Sequence, residues 1–425
     1  MVNGVPMNDM EWGGVYWSNW AGLSDVARSI QTQRGLGASK VSAPSVGGTI
    51  NIVTRNLDAK KGGFLSYGMG NDGMNKILFS VSSGITKNGW AFTLMGGKNW
   101  CNGYIQGTAF EGYNWFASIS KRINEEHQLT LTAFGAPQWH DQRNSSYGGL
   151  TIADWKMVET VYGVKDHKYN PTFGYRSNGE SYNSYRNSYH KPLISLNHQW
   201  QINSKSSLST SLYVSLGRGS GFSGQGNTEF SPYSYTSWRG AYKGTLYDTF
   251  RRSDGTFDYA AIEEINRTSE YGSALIAARS NNSHDWYGLL STYTTKIGQY
   301  LDFYGGIDYR FYKGVHRNEI SDLFGGTYYL DSERGNVDVK NNIHAADPNW
   351  RYQKLGVGDV VFRDYDGFVM QEGGFFQLEY NKDRLAAFVA GSLSNTGYWR
   401  YDRFYYDKEH AKSKTVNFLG FTAKG

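Results

Sequence analysis

The sequence predicts an all-β membrane protein built as an antiparallel transmembrane β-barrel. Three observations predict this class: runs in which apolar and polar residues alternate, a regular exchange of short and long connections, and an unusual composition. Of the 425 residues, 52 are Gly, 7 are Pro and 16% are aromatic. Few prolines favour long regular strands because Pro removes a ladder donor, whereas disorder would enrich Pro and deplete aromatic residues.

The alternating runs begin near residue 62, and each run places its apolar side chains on one face. In residues 76–85 that face carries Ile77, Phe79 and Val81. The apolar sets of the runs that follow are Trp90, Phe92 and Leu94; Tyr113, Trp115, Ala117 and Ile119; Leu129, Leu131 and Ala133; Ile194, Leu196 and Trp200; and Leu208, Leu212, Val214 and Leu216. With further runs near 285–296, 300–312, 374–381, 384–393 and 414–422, the pattern predicts about twelve strands that face lipid on one side.

The connections between these runs alternate in length. Short turns are predicted after Ile85, Ile123, Ile202, Ile297 and Asn381, and long connections rich in Tyr, Asn, Gly, Ser and Asp at about 141–190, 221–283 and 318–366. Tight turns at one end and large extracellular loops at the other are typical of outer-membrane barrels. Aromatic residues near strand ends, such as Trp100, Trp115 and Trp200, predict the girdles of the two membrane interfaces.

Several other classes are excluded by the bulk properties of the chain. Mean hydropathy is −0.57, and no stretch reaches the ~18 consecutive apolar residues of a transmembrane helix. A net charge of +5 without a dense basic run argues against a nucleic-acid partner. The single Cys101 excludes an internal disulfide and CxxC-type sites. The first residues do not resemble a signal peptide, so we expect the chain to begin partway into a longer protein.

Residues 1–58 carry different motifs. Gly47 and Gly48 precede a β-branched run that contains Asn51, and Arg34 and Gly35 lie about a dozen residues upstream. This combination resembles the end of the plug domain of TonB-dependent outer-membrane receptors, and residues 2–6 resemble an earlier plug strand of that family. The resemblance implies that residues 1–58 are the C-terminal part of a plug domain and that residues 59–425 are a partial transmembrane barrel.

The style of the sequence is most similar to receptors of Bacteroidetes, with three departures from the common pattern. Residues 29–31 stand where an Arg-Val-Glu often precedes the Arg-Gly pair, Leu36 stands where a Pro usually follows that pair, and residues 42–44 replace an aromatic-Gly step. These departures bear on the charge pairs between plug and wall. Because the family has 22 strands, about twelve strands also lead us to expect a fragment.

No catalytic, cofactor or metal motif emerges from the sequence. The nine His are scattered, and HExxH, GxSxG and GxxxxGK[ST] are missing, so we predict neither an enzyme nor a cofactor. Calcium binding by acidic residues of the long connections stays open. The best candidates for ligand contact are Trp12, Tyr16, Trp17 and Trp20, because aromatic rings supply rigid contact area. Alternatively, these four residues fill the space between plug and barrel.

The resemblance implies an outer-membrane receptor that imports a scarce nutrient, such as a siderophore, a vitamin or an oligomeric nutrient. Its expected partners are a TonB-type energy-transducing complex, the nutrient ligand, outer-membrane lipid and a surface lipoprotein. A passive porin or adhesin barrel is the first alternative, although it needs no plug. A soluble β-rich carbohydrate-binding protein is the second.

Overall fold

The structure, a computed structural model, describes residues 1–20, 22–34, 48–54, 59–143, 150–242 and 245–425. The N-terminal unit, residues 1–54, contains a 3-10 helix Trp17–Trp20, helix α1 (Leu23–Val26) and two antiparallel strands, β1 (Ala27–Arg34) and β2 (Gly48–Thr54). The predicted strand at residues 1–6 is instead a turn in which Val2 bridges Ile52. Helix α1 continues directly into β1, since Val26 and Ala27 are neighbours in the chain.

Three of the predicted motif residues, Arg34, Gly48 and Asn51, lie in the β1–β2 pair. Arg34 and Gly48 are backbone partners, and Gly48 has a φ of 122°, a conformation that favours glycine. The side chain of Asn51 receives a hydrogen bond from Gly4 N at 3.2 Å and donates one to Gln31 Oε1 at 3.2 Å. Gly35 and Gly47 lie outside the described residues, and only the backbone of Arg34 is described.

Fourteen strand segments form one large antiparallel sheet, which we call the wall. Its segments are β3 (Gly62–Met69), β4 (Asn75–Ser82), β5 (Trp90–Cys101), β6 (Phe110–Arg122), β7 (His127–Gly135), β8 (Gln138–Asp141), β11 (Arg186–His190), β12 (Leu193–Gln201), β13 (Ser206–Gly226), β17 (Leu275–Ile297), β18 (Leu301–Asp322), β19 (Val360–Lys382), β20 (Leu385–Asp402) and β21 (Val416–Lys424). Strands β3 and β21 are the two edge strands of this sheet.

Two of the wall strands are interrupted at prolines. Pro137 separates β7 from β8, and Pro192 separates β11 from β12, because proline cannot donate to the ladder. The two breaks lie side by side, since β8 pairs with β11 and β7 pairs with β12. Segments β7 and β8 together make one strand of the wall, and β11 and β12 make another. The fourteen segments therefore amount to twelve strands, as predicted.

The two faces of the wall differ as the alternation predicted. Residues of the predicted apolar sets, such as Phe79, Leu131 and Leu212, have 43–50% of their surface exposed on the outer face. The inner face instead carries small buried hydroxyl residues, such as Thr132 and Ser195, which are opposed through the β7–β12 pair. An apolar outer face and a polar inner face are the signature of a membrane barrel.

The N-terminal unit packs against the inner face of the wall. One buried apolar cluster joins residues of the unit to residues of nine wall strand segments. From the unit it contains Val2, Val5, Met7, Leu23, Val26 and Ile52, and from the wall Leu78, Met95, Phe116, Phe134, Leu193, Tyr213, Trp286, Tyr312 and Val369. The small inner-face residues leave the room that this contact needs.

The long connections are shorter than the sequence predicted. They span 142–185, 227–274 and 323–359, instead of about 141–190, 221–283 and 318–366, because the flanking strands continue into the predicted loops. The four consecutive residues 275–278 explain the difference: all are buried, alternately on the two faces of β17. A strand covered on both faces lacks the apolar–polar alternation on which the prediction relied.

The long connections contain ordered elements of their own. These are helices α2 (Ile152–Tyr162), α3 (Tyr259–Thr268) and α4 (Pro348–Arg351), strands β9 (Phe173–Tyr175), β10 (Ser181–Asn183), β14 (Ala241–Tyr242), β15 (Thr245–Leu246) and β16 (Phe257–Asp258), and the 3-10 helices Tyr235–Trp238, Ser332–Asn336 and Ile343–Ala346. Strands β9, β10 and β16 form a small sheet. No helix in the described residues is long and apolar enough to cross a membrane.

These connections form two layers on the extended ends of β13, β17 and β18. The outer loop layer (residues 150–185 and 227–274) packs Trp238, Tyr259 and Ile262 against Leu275 on the outer face. The inner loop layer (residues 323–359) packs Tyr329 and Leu355 against Ile276 and Ile320 on the inner face. We call this end of the wall the long-loop end and the opposite end, with turns of two to seven residues, the short-turn end.

The lipid-facing role of the outer face is tested by Leu212→Arg. Leu212 is half exposed and lies between Leu196 and Leu289 in register. An arginine on the lipid-facing side of a barrel costs ~2–4 kcal/mol at the bilayer midplane and ~0–1 kcal/mol near the interfaces. We therefore expect urea unfolding in lipid vesicles to show that Leu212→Arg lowers the free energy of unfolding by about 2–4 kcal/mol. Ser283→Arg, on the same face but closer to the long-loop end, is the matched control, and equal losses in both variants would contradict a lipid-facing belt.

Candidate functional site

Residues 8–20 of the N-terminal unit form a compact loop, which we call the aromatic loop. The carboxylate of Asp9 holds its first turn, because Oδ1 accepts from the backbone N–H groups of Glu11 at 2.9 Å and Trp12 at 3.2 Å. The turn closes through Asn8 Nδ2, which donates to Gly13 O at 2.8 Å. Gly13 has a φ of 79°, so a residue with a side chain would be strained there. The loop is therefore shaped by its own sequence before it meets the wall.

Two carboxylates fasten the aromatic loop to strands β18 and β19. Tyr312 Oη donates to Asp9 Oδ2 at 3.0 Å, and His316 Nε2 lies 2.8 Å from Glu11 Oε2. His316 Nδ1 lies 2.9 Å from Asn282 Oδ1, and the Asn282 amide group donates to Ser280, which fixes its oxygen toward the imidazole. Nδ1 therefore donates to Asn282, and the imidazole of His316 lies between Asn282 and the Glu11 carboxylate.

The carboxylate of Glu11 fits a notch made by two glycines. Gly314 and Gly367 are direct partners in the β18–β19 pair and face the aromatic loop. A Cβ on Gly314 would lie 2.5 Å from Glu11 Oε2, and a Cβ on Gly367 would lie 2.2 Å from Glu11 Oε1. Neither glycine could carry a side chain without displacing Glu11, so their lack of a side chain is a condition of this contact.

The opposite side of the aromatic loop contacts β7 and β8. Gln138 Nε2 donates to the backbone oxygen of Ser18, and the Trp20 ring meets the Phe134 ring edge-on at a centroid distance of 5.5 Å. Lys191, buried between β11 and β12, interacts electrostatically with Asp9 and Glu11. The loop thus spans the inner side of the wall from β7 and β8 to β18 and β19.

The four predicted ligand-contact residues take two different positions. Trp12, Tyr16 and Trp17 have 57%, 54% and 60% of their surface exposed, and the rings of Trp12 and Tyr16 are 4.9 Å apart. Trp20 is half buried and packs on the apolar cluster that joins the unit to the wall. The arrangement therefore offers three open aromatic faces for binding, whereas Trp20 fills the space between the N-terminal unit and the wall.

Sequence reasoning missed the residues that hold this loop: Asp9, Glu11, Gly314, His316 and Gly367. The local signal was slight, since Asp9 and Glu11 merely precede the aromatic stretch. Their partners lie about 300 residues away in the sequence, and an unremarkable glycine pair carries no local signature. In the described part of the chain no group of three or more His, Cys, Asp or Glu residues is arranged to hold a metal ion.

Comparisons with known proteins identify the fold of the chain. No protein-family model matches the chain. The vitamin B12 transporter BtuB of Vibrio vulnificus (strain CMCP6) is 24% identical over 148 residues, which are 33% of this chain and 23% of that protein. Among solved structures, the ferric citrate transporter FecA in its unliganded form matches with a TM-score of 0.61 and 13% identity, covering 99% of this chain and 50% of that one. The chain has the fold of TonB-dependent outer-membrane receptors.

A second solved structure supports the same fold. The ferripyoverdine receptor of the outer membrane of Pseudomonas aeruginosa, bound to ferripyoverdine, matches with a TM-score of 0.58 and 12% identity. The match covers 100% of this chain and 47% of that one, so the chain spans about half the length of both structures. The predicted fold class, an antiparallel transmembrane β-barrel, is confirmed, and the proteins that share similarity with the chain are named as transporters and a receptor.

Proposed function

We propose that the chain is part of a TonB-dependent receptor that imports a scarce nutrient across the outer membrane. Residues 1–58 then belong to the plug and residues 59–425 to the barrel. The observation that carries the proposal is the fastening of the N-terminal unit to the inner face of the wall, through an apolar cluster and through the polar contacts of Asp9 and Glu11. A passive porin needs no such occupant of its lumen, and a soluble protein needs no apolar outer face.

Energy transfer and further partners follow from the proposed class. A TonB-type complex would pull on the plug, and polar contacts such as Glu11–His316 can exchange with water more readily than a continuous apolar interface could. A surface lipoprotein and an origin in Bacteroidetes stay predictions from the resemblance. The solved relatives take ferric citrate and ferripyoverdine, and BtuB takes vitamin B12. For this chain a siderophore, a vitamin and an oligomeric nutrient all stay within the proposal.

The exposed rings of the aromatic loop are the proposed ligand contacts. Trp12, Tyr16 and Trp17 lie on a loop held on both sides by the wall, and a held loop presents its side chains with little loss of conformational freedom on binding. Gln138 and His316 contact this loop from wall positions in the half toward the long-loop end. The aromatic loop therefore lies in the half of the wall nearer the end at which a ligand would arrive from outside the cell.

Uptake by whole cells tests the proposal. In cells that produce the full-length receptor, we expect an uncoupler that collapses the proton gradient to stop uptake of the nutrient while surface binding continues. Uptake that persists without the gradient would identify a passive porin. In the same assay, the double variant Trp12→Ala and Trp17→Ala should lower surface binding at least tenfold, because each lost ring contact is worth ~1 kcal/mol or more.

The control for the aromatic-loop variant is Tyr271→Ala. Tyr271 is 49% exposed and stacks on Phe230 in the outer loop layer, away from the aromatic loop. This variant should bind as the unaltered receptor does. Equal binding by the double variant and the control would remove Trp12 and Trp17 from the ligand site, whatever the outcome of the uncoupler experiment.

A further inference from the structure

A cavity lies at the long-loop end, between the inner loop layer and the connection 403–415. Its volume is about 410 Å³, which is within the ~300–1,000 Å³ usual for small-molecule sites. It is lined by Asn336, Asp338, Asn341, Arg400, Asp402, Tyr405, Tyr406, His410, Ala411 and Ser413. We call it the loop cavity. Arg400 is the register partner of Gly367, which faces Glu11, so the loop cavity opens on the same side of the wall as the aromatic loop.

Hydrogen bonds hold the frame of the loop cavity in place. Asp402 Oδ1 accepts from the backbone N–H groups of Phe404 at 2.9 Å and Tyr405 at 2.8 Å. Tyr405 Oη donates to Glu333 Oε1 at 2.6 Å, and Asp407 N donates to Asn341 O at 3.0 Å. These contacts join the two connections that form the walls of the cavity. A site whose frame is already ordered loses less entropy when a ligand binds.

The charges of the loop cavity exclude an anionic ligand. Its lining has two carboxylates, Asp338 and Asp402, and one guanidinium, Arg400, which is already hydrogen-bonded to Asp402. A carboxylate, phosphate or catecholate ligand would therefore face Asp338 without a free cation to offset the repulsion. Siderophores that are anionic when they hold iron do not match this charge.

The remaining groups fit a neutral ligand rich in hydroxyl groups. The amide of Asn341 can donate to and accept from hydroxyls, and the carboxylate of Asp338 can accept from them. His410 offers its Nε2 atom, since its Nδ1 atom lies 2.8 Å from Asp407 Oδ1. Tyr405 and Tyr406 add aromatic faces. Because the cavity is lined by both hydrogen-bonding groups and aromatic rings, a sugar ring can satisfy both kinds of contact. We propose that the loop cavity binds a neutral oligosaccharide.

A chain of direct contacts connects the loop cavity with the aromatic loop. The Arg400 guanidinium lies 3.6 Å from the centroid of the Tyr365 ring, and Tyr365 stacks on His316 at 4.8 Å. His316 in turn contacts Glu11 at 2.8 Å. An oligomer bound in the cavity would thus contact Arg400, which is connected through Tyr365 to the His316–Glu11 contact of the aromatic loop. The inference narrows the nutrient class of the proposed receptor and rests on that function for uptake, although not for binding.

Binding to the purified protein tests this inference. The protein is prepared in a detergent without a sugar head group, and titrated with neutral hexasaccharides of glucose, mannose and galactose, with oligogalacturonate and with chitosan oligomers. We expect at least one neutral hexasaccharide to bind at least tenfold more tightly than both charged oligomers. Failure of every neutral hexasaccharide to bind, or equal binding of a charged oligomer, would overturn the proposal.

Variants locate the binding in the loop cavity. Asn341→Ala and Tyr406→Ala should each weaken binding of that hexasaccharide at least fivefold, whereas Tyr235→Ala, an exposed tyrosine of the outer loop layer, should bind normally. Thermal unfolding confirms that each variant is folded. Unchanged binding in both cavity variants would overturn the assignment. Oligosaccharide binding that persists in a protein whose uptake ignores the proton gradient would contradict the receptor function and leave the site intact.

Discussion

The variant Gly367→Ala is expected to release the aromatic loop from the wall. Gly367 has an ordinary backbone conformation, so alanine itself is tolerated there, but its Cβ would lie 2.2 Å from Glu11 Oε1. Glu11 must therefore leave the notch and its contact with His316. Overpacking of this kind costs about 1–3 kcal/mol. Hydrogen–deuterium exchange should show faster exchange of residues 8–20, with the wall strands unchanged.

Two further variants separate this effect from a general loss of stability. Gly374→Ala, in the same strand, would place a Cβ no closer than 3.6 Å to its nearest neighbour, so exchange should be unaltered. Adding Glu11→Ala to Gly367→Ala removes the clashing carboxylate, so the two substitutions together should cost less than the sum of their separate effects. Simple additivity, or equal exchange in the Gly367 and Gly374 variants, would show that the notch does not hold the loop.

The part of the wall that faces lipid on one side could be predicted from the sequence. Ile77, Phe79 and Val81 share one face because side chains alternate along a strand, and lipid selects that face to be apolar. The same rule failed beyond the lipid-facing region. Residues 275–278 are apolar on both faces, since one loop layer covers each side, and a rule that expects a polar face assigns them to a loop.

The candidate site, too, could be predicted from the sequence only in part. Exposed Trp12 and Trp17 were predicted because four aromatic residues within nine positions form a local pattern. The contacts that position them were not predicted, because Glu11 and Gly367 are far apart in the sequence and meet only in the folded chain. The loop cavity was missed for the same reason, since its lining comes from two connections that no local pattern brings together.

The variant Arg176→Ala is expected to destabilise the outer loop layer strongly. Arg176 Nε contacts Glu263 Oε1 at 2.6 Å, and Arg176 Nη1 contacts Asp322 Oδ2 at 2.6 Å. The guanidinium also lies 4.5 Å from the centroid of the Phe324 ring. One side chain thus joins the connection 142–185, helix α3 and the end of β18. Because Glu263 is only 5% exposed, the variant leaves a buried carboxylate without its cation, which costs about 3–5 kcal/mol.

Helix α3 supplies the control for this prediction. Arg267 and Glu264 form an exposed pair on the same helix, and exposed pairs contribute only ~0–1 kcal/mol. Hydrogen–deuterium exchange of residues 259–268 should therefore quicken strongly in Arg176→Ala and little in Arg267→Ala. The double variant Arg176→Met and Glu263→Leu should recover most of the loss, since it removes the unpaired charge. Equal effects of the two single variants would contradict a joining role for Arg176.

The same carboxylate makes the outer loop layer sensitive to acid. Burial alone would raise the pKa of Glu263, but hydrogen bonds from Ser177 and Arg176 outweigh it and lower the pKa below the ordinary value of 4.5. A lowered pKa in the folded state means that the stabilisation is complete above pH 4.5 and is lost as the pH falls through the lowered pKa. Arg176→Ala removes one of the groups that hold the pKa down. Because the gap between the folded and unfolded pKa narrows, acidification from above pH 4.5 to below the lowered pKa should remove less protection from exchange at residues 259–268 in the variant than in the unaltered protein. An equal acid-induced loss of protection in both proteins would show that Arg176 does not act through the Glu263 carboxylate.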